Sequence, residues 1–233
     1  ANGAYQETTR ALRSALLAEV PTAAIEEFSA DGLSAGTLAN RRMIVTVGSK
    51  AAEAVAHLGL TRPVLHTLLP GSAYERLPRP REGVPASAIF LDQPPERQIA
   101  LLRLALPEWQ RVALISGPGS EGLARRLSEA AVARQLQVQA TSISSDSELY
   151  AALQSVLAEP AVLVAIPDAQ VFNSYTVQNV LLTAYRNRSP VLGFSAAYVR
   201  AGALLGLYST PSQIGTQAAG VVARAGAFAI DLL

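Results

Sequence analysis

The chain has 233 residues, half of them hydrophobic, with 19 basic and 18 acidic side chains and a net charge of +1. That length supports a substantial core in one large or two small domains, while near-neutrality argues against a nucleic-acid surface, which needs clustered positive charge. The absence of cysteine excludes disulfides and zinc–thiolate sites, and despite a mean hydropathy of +0.25 no apolar run approaches the roughly 20 residues that cross a bilayer.

In chain order, Tyr5 to Val20 reads as a helix with Ala11, Leu12, Ala15, Leu16 and Leu17 on its apolar face, ended by Pro21. Ala23 to Phe28 suits a strand, followed by an Asp31–Gly32 turn. From there, short Val/Ile/Leu-rich runs alternate with amphipathic stretches. The runs are Met43–Val47, Pro63–Thr67, Ala86–Leu91, Val112–Ser116, Leu136–Ser142, Ala161–Ile166, Pro190–Phe194 and Ala203–Ser209. Near-continuous apolar runs of this length are strands buried on both faces, so the fold class expected is α/β, built of stacked βα units with parallel sheets.

The intervening helices are placed at Lys50–Leu58, with Ser49 as cap, at Glu96–Leu106, Glu121–Arg134 and Glu148–Leu157, up to about Arg186, and from Pro211 to about Arg224. Pro70 to Pro85 holds four prolines and two glycines and reads as a loop. Its basic cluster, Arg76 with Arg79 and Arg81, reads as solvated. The first helix has no strand before it, and Ala229 to Leu233 stops where a strand could begin. The expectation is therefore a chain trimmed at one or both ends, or one that departs from the pattern there.

Open parallel sheets present ligand-contacting residues just past the carboxyl ends of their strands. Gly48-Ser49-Lys50 and Gly117-Pro118-Gly119-Ser120 both occupy such turns, where free backbone N–H groups can hold an anion or simply cap a helix. The first lacks phosphate-loop spacing. Gly117, Gly119 and Gly122 match G-x-G-x-x-G formally, but no acidic residue follows the next strand in the dinucleotide-binding manner. His57 and His66 accompany no nucleophile elbow and read as structural. Glu26 and Glu27, adjacent on a strand, face opposite ways and cannot flank one bond. No metal-ligand spacing stands out, and neither metal nor cofactor is expected. Asp168 ends the very apolar strand Val162–Ile166, where it can pair with a ligand ammonium or cap the next helix; Asp92, Ser116, Phe194 and Tyr208 also end strands.

Four collinear segments carry a resemblance. They are Asp92-Gln93-Pro94-Pro95 with Gln98, Leu101, Leu102, Leu106-Pro107 and Val112-Ala113-Leu114; Thr46 to Ala52; Pro190 to Phe194 with Val199 to Leu204; and Ile214-Gly215 with Gln217-Ala218-Ala219. Between about Met43 and Arg224 the chain resembles ABC transporter substrate-binding proteins of the tryptophan/tyrosine-binding type. Where that family often has Pro-Thr-Asp-Asn, this chain has Pro167-Asp168-Ala169-Gln170-Val171-Phe172-Asn173, so aromatic amino-acid specificity is not carried over.

The resemblance implies a type I periplasmic-binding fold of two α/β lobes that close on a ligand in a cleft. Lobe one is expected at 1–92 plus 203–226 and lobe two at 93–202, with a return crossing near Phe194 to Ala201, where Gly193, Gly202 and Gly206 suit either flexing or close packing. It also implies a small-molecule ligand, an ABC permease as partner, a periplasmic or membrane-anchored extracytoplasmic location and a monomer without catalysis. The ligand-contact candidates are Ser49 and Thr67 from lobe one, and Ser116, Ser120, Asp168, Phe172, Asn173, Phe194 and Tyr208 from lobe two or the crossings. Two rivals share the architecture: the sensing domain of a transcription regulator or sensor kinase, which a longer reading frame would distinguish, and a doubly wound enzyme, for which no acid–base or nucleophile set is evident.

Overall fold

The computed structural model describes residues 2–168, 171–173, 175–225 and 229–232. They divide into two compact units, Ala1–Leu91 with Ser209–Leu233, and Asp92–Tyr208. The first unit opens with α1 (Asn2–Glu19), β1 (Ala24–Glu27), β2 (Met43–Val47), α2 (Ser49–His57), β3 (Val64–Leu69), α3 (Gly71–Glu75) and β4 (Ala86–Phe90). The second contains α4 (Pro95–Ala105), β5 (Arg111–Ser116), α5 (Glu121–Val132), β6 (Gln137–Ser142), α6 (Leu149–Val156), β7 (Val162–Val164), α7 (Val177–Arg186), β8 (Val191–Gly193), α8 (Ala196–Ala201) and β9 (Leu205–Gly206). The chain then completes the first unit with α9 (Pro211–Arg224) and β10 (Ala229–Leu232).

Each unit has one five-stranded parallel sheet, ordered β1-β10-β2-β3-β4 and β6-β5-β7-β8-β9. In the first sheet, side-chain alternation along β2 sorts the core into two layers. Met43, Val45 and Val47 meet Leu12 and Leu16 of α1 and Ile214, Ala218 and Val222 of α9. Ile44 faces the other way, against Ala51 and Val55 of α2 and Leu38. The helix pair α1–α9 packs so closely that a Cβ on Gly215 would lie 2.3 Å from the Thr8 carbonyl oxygen. A capping box opens α9: the Thr210 hydroxyl accepts from the Gln213 N–H, and the Gln213 side chain accepts from the Thr210 N–H.

The second sheet is buried throughout β7 and β8 and along β5 from Val112 onward, with Val112 to Ile115 and Ala161 to Ile166 in one continuous core. The run Ala203–Ser209 yields only the two-residue β9, and because β9 pairs with β8, residues 203–208 belong to the second unit rather than to the first. The proline-rich stretch 70–85 contains the short helix α3. Of the three glycines near β8 and β9, two permit close packing: a Cβ on Gly193 would lie 2.3 Å from that of Tyr198, and one on Gly206 would lie 2.5 Å from Val199 Cγ2, whereas Gly202, at φ 120°, has open space around it.

Candidate functional site

In the second sheet β6 lies on one side of β5 and β7 on the other, so the chain reverses direction between β5 and β7. A ligand crevice in an open parallel sheet forms outside the carboxyl ends at such a reversal. Ser116 ends β5 there, and the turn Gly117 to Ser120 follows. The Gly117 N–H donates to Ser120 Oγ (3.1 Å), and the Ser120 hydroxyl donates to Asp168 Oδ2 (2.7 Å) beyond β7. The Asp168 carboxylate also accepts from the Val171 N–H through Oδ1 (3.1 Å), and its carbonyl accepts from the Phe172 N–H (2.9 Å). It lies so close over Gly117 that a Cβ there would sit 2.8 Å from both carboxylate oxygens. Placing this negative charge beside Ser120, which immediately precedes α5, also complements that helix's N-terminal dipole.

Aromatic rings continue the site. Phe172 is buried and stands edge-on to Tyr198 (6.4 Å between centroids), which in turn contacts Phe194 at 4.8 Å. Tyr198 was not apparent from the sequence because it sits inside α8, away from any strand end. Among the described residues its buried hydroxyl has no hydrogen-bond partner, and burial pushes the phenol pKa well up. Asn173 is spent locally: its Oδ1 accepts from the Tyr175 and Thr176 N–H groups at 2.8 and 3.1 Å, bracing the approach to α7. Tyr208, the last residue of the second unit, is exposed, its ring beside Gly206.

In the first unit the carboxyl ends of β1 and β2 open onto a cavity of about 810 Å³. Tyr5 and Gln6 of α1, Phe28 to Asp31 after β1, and Gly48 and Lys50 after β2 line it. Gly48, at φ 94°, is the residue that caps α2; Ser49, expected in that role, is already the first helical residue and makes no capping bond. Lys50 donates to Asp31 at 2.7 Å, and Arg13 to Glu27 at 2.8 Å. Arg41 grips Glu26 with its two terminal guanidinium nitrogens, so the two neighbouring glutamates bind different partners. Thr67, expected to reach a ligand, is fully buried and its hydroxyl donates to the Thr46 carbonyl at 2.8 Å. His57 Nδ1 contacts the Glu53 carbonyl within α2. Among the described residues no group of three or more His, Asp or Glu side chains could hold a metal ion, and no helix is long and apolar enough to cross a membrane.

The sheets and strand-end sites are those of a ligand-binding α/β protein. A sequence model of the ABC transporter substrate binding protein family matches residues 37–225, and the chain belongs to that family. Three solved structures share the fold. A ligand-free, open substrate-binding protein with adhesive properties from Clostridium difficile matches with TM-score 0.70 and 17% identity, over 96% of this chain and 81% of that one. An ABC domain in complex with L-Trp from Streptococcus pneumonia and a conserved domain protein from Vibrio cholerae each reach 0.61, at 13% and 19% identity, over 99% of this chain and 85% of theirs. No curated protein sequence gives a significant match.

Proposed function

We propose that this chain is the solute-binding component of an ABC importer, acting outside the cytoplasmic membrane and delivering a small, amino-acid-like molecule to a permease. The observation that carries the reading is the polar cluster at the reversal between β5 and β7, where Ser120 and Asp168 meet beside Phe172, within a chain of the substrate-binding family. In this reading Asp168 receives the ligand ammonium, the α5 N-terminus favours its carboxylate, and Phe172 and Phe194 flank its side chain. Ligand contacts from both units would stabilise a closed state, and no bond is made or broken. The L-Trp held by one structural neighbour supports the amino-acid class. The altered segment 167–173 argues against tryptophan itself.

Native mass spectrometry of the protein as purified tests the reading, followed by thermal melts with the twenty amino acids. A retained small mass, and a melting temperature that rises with that compound by mass action, are expected. Small-angle scattering should show compaction on binding. Chemical turnover of the compound would instead make the chain an enzyme, and an unchanged radius of gyration at saturation would count against closure.

A further inference from the structure

We propose that the first unit carries a second ligand site, for a single-ring aromatic carboxylate bearing another polar group, in the cavity between α2, β3 and the loop 77–84. The cavity measures about 240 Å³, more than the roughly 150 Å³ engineered cavity that admits benzene. Its walls are largely apolar: Val55 and Ala56 of α2, Leu60, Val84 and the ring of Tyr74.

Two features give this space chemical direction. His66 of β3 lines it and is itself 5% exposed. Its Nδ1 lies 2.9 Å from Thr46 Oγ1, the one hydrogen bond the ring makes among the described residues. Among the described residues Nε2 has no hydrogen-bond partner, so it is left for a group that enters the cavity, and a ligand hydroxyl reaching it would gain a hydrogen bond. Burial holds the imidazole near pKa 4, so at neutral pH it is an uncharged hydrogen-bonding group rather than a cation.

The second feature is the lining contributed by Arg79, Arg81 and Glu75, all exposed residues. Among the described residues none of the three makes a hydrogen bond or ion pair, so two guanidiniums face one carboxylate and the mouth is net positive. The Arg81 guanidinium stands over Gly59, 3.4 Å from where a Cβ would be. A carboxylate at the arginines, a ring against the apolar walls and a hydroxyl toward His66 satisfy all three surfaces. The arginines that read as a solvated loop in the sequence thus gain a role.

The experiment is NMR titration of the intact protein with 4-hydroxybenzoate, following the His66 ring nitrogens, with benzoate and phenol as comparisons. Saturable shifts at His66 Nε2 are expected, with each comparison compound binding about tenfold more weakly for want of one polar contact. The double variant Arg79→Ala/Arg81→Ala, altered only at exposed positions, should remove the preference over phenol. Ala56→Leu should block all three compounds by filling the cavity. No His66 shift at millimolar 4-hydroxybenzoate would overturn the site. Shifts that survive Ala56→Leu, or that fall instead around Ser120 and Asp168, would overturn the location. An affinity unaltered by losing both arginines would overturn the carboxylate class.

Discussion

The Ser120 hydroxyl donates to the Asp168 carboxylate at 2.7 Å, joining the turn after β5 to the segment after β7, 48 residues on. The carboxylate thereby braces two loops at once, and any ligand role is built on a group already held in place by neighbours.

Removing that carboxylate should therefore cost stability before any ligand is added. Asp168→Ala is expected to lose on the order of 1.5–3 kcal/mol, the range for hydrogen bonds to a charged group. Asp168→Asn, which keeps the shape, should fall between. Urea unfolding measures both, and a parent-like midpoint for Asp168→Ala would show the bond to be idle. Ligand affinity should fall roughly ten- to a hundredfold in the same variant.

His66 sets an acid limit. Burial lowers its pKa from 6.5 to about 4, so between those values the unfolded chain binds the proton and the folded one does not. Stability is full above pH 6.5 and declines as pH falls toward 4, by up to about 3 kcal/mol. Chemical denaturation at pH 7.5 and 4.5 should show the loss, and His66→Gln should shrink the difference.

Tyr198 separates ring from hydroxyl. Its ring contacts Phe172 and Phe194 and covers Gly193, whereas its buried hydroxyl has no partner among the described residues. Tyr198→Phe should match the parent or exceed it slightly, because an unsatisfied buried group is removed. Tyr198→Ala should cost about 3–5 kcal/mol through the cavity it leaves. Thermal melts of the pair decide the matter, and a large loss in Tyr198→Phe would reveal a hidden partner.

The helix contact of the first unit is tested at Gly215. An added Cβ would meet the Thr8 carbonyl oxygen at 2.3 Å and Ala11 Cβ at 2.9 Å. Gly215→Ala must therefore force α1 and α9 apart, at about 1–3 kcal/mol. A variant melting like the parent would mean that the helices can separate freely.

Much of the scaffold was legible because its central strands, β2, β3, β5, β7 and β8, are buried on both faces and so read as unbroken apolar runs. Met43–Val47 is the strand expected, and the helix placed from Pro211 to about Arg224 is α9. The run from Ala203 misled because apolarity shows that a segment is buried but not which sheet takes it. Pairing of Leu205 with Leu192 decides that. At the carboxyl ends of the second sheet, strand-end logic pointed to the turn after β5 and the segment after β7, which the Ser120–Asp168 hydrogen bond joins. It failed for Thr67, whose hydroxyl is captured by a neighbouring strand's carbonyl, and for Tyr198, which reaches the cluster from a helix. Gly48 displaced Ser49 as the cap because the turn requires φ 94° there, a conformation that favours glycine.

The first unit is interrupted by the second: the chain leaves it after Leu91 and re-enters it at Ser209. On the ribosome, Asp92–Tyr208 emerges as one uninterrupted stretch and can close its sheet as soon as it is out. Leu12, Leu16 and Val45 must wait, because Ile214, Ala218 and Val222 of α9 are translated last of their layer. For the time needed to synthesise more than a hundred residues — about 5 to 20 seconds at the ordinary rate — the nascent first unit carries an apolar face that still lacks its α9 cover. Its maturation is thus paced by elongation, and a holding chaperone would find its target on that face rather than on the second unit.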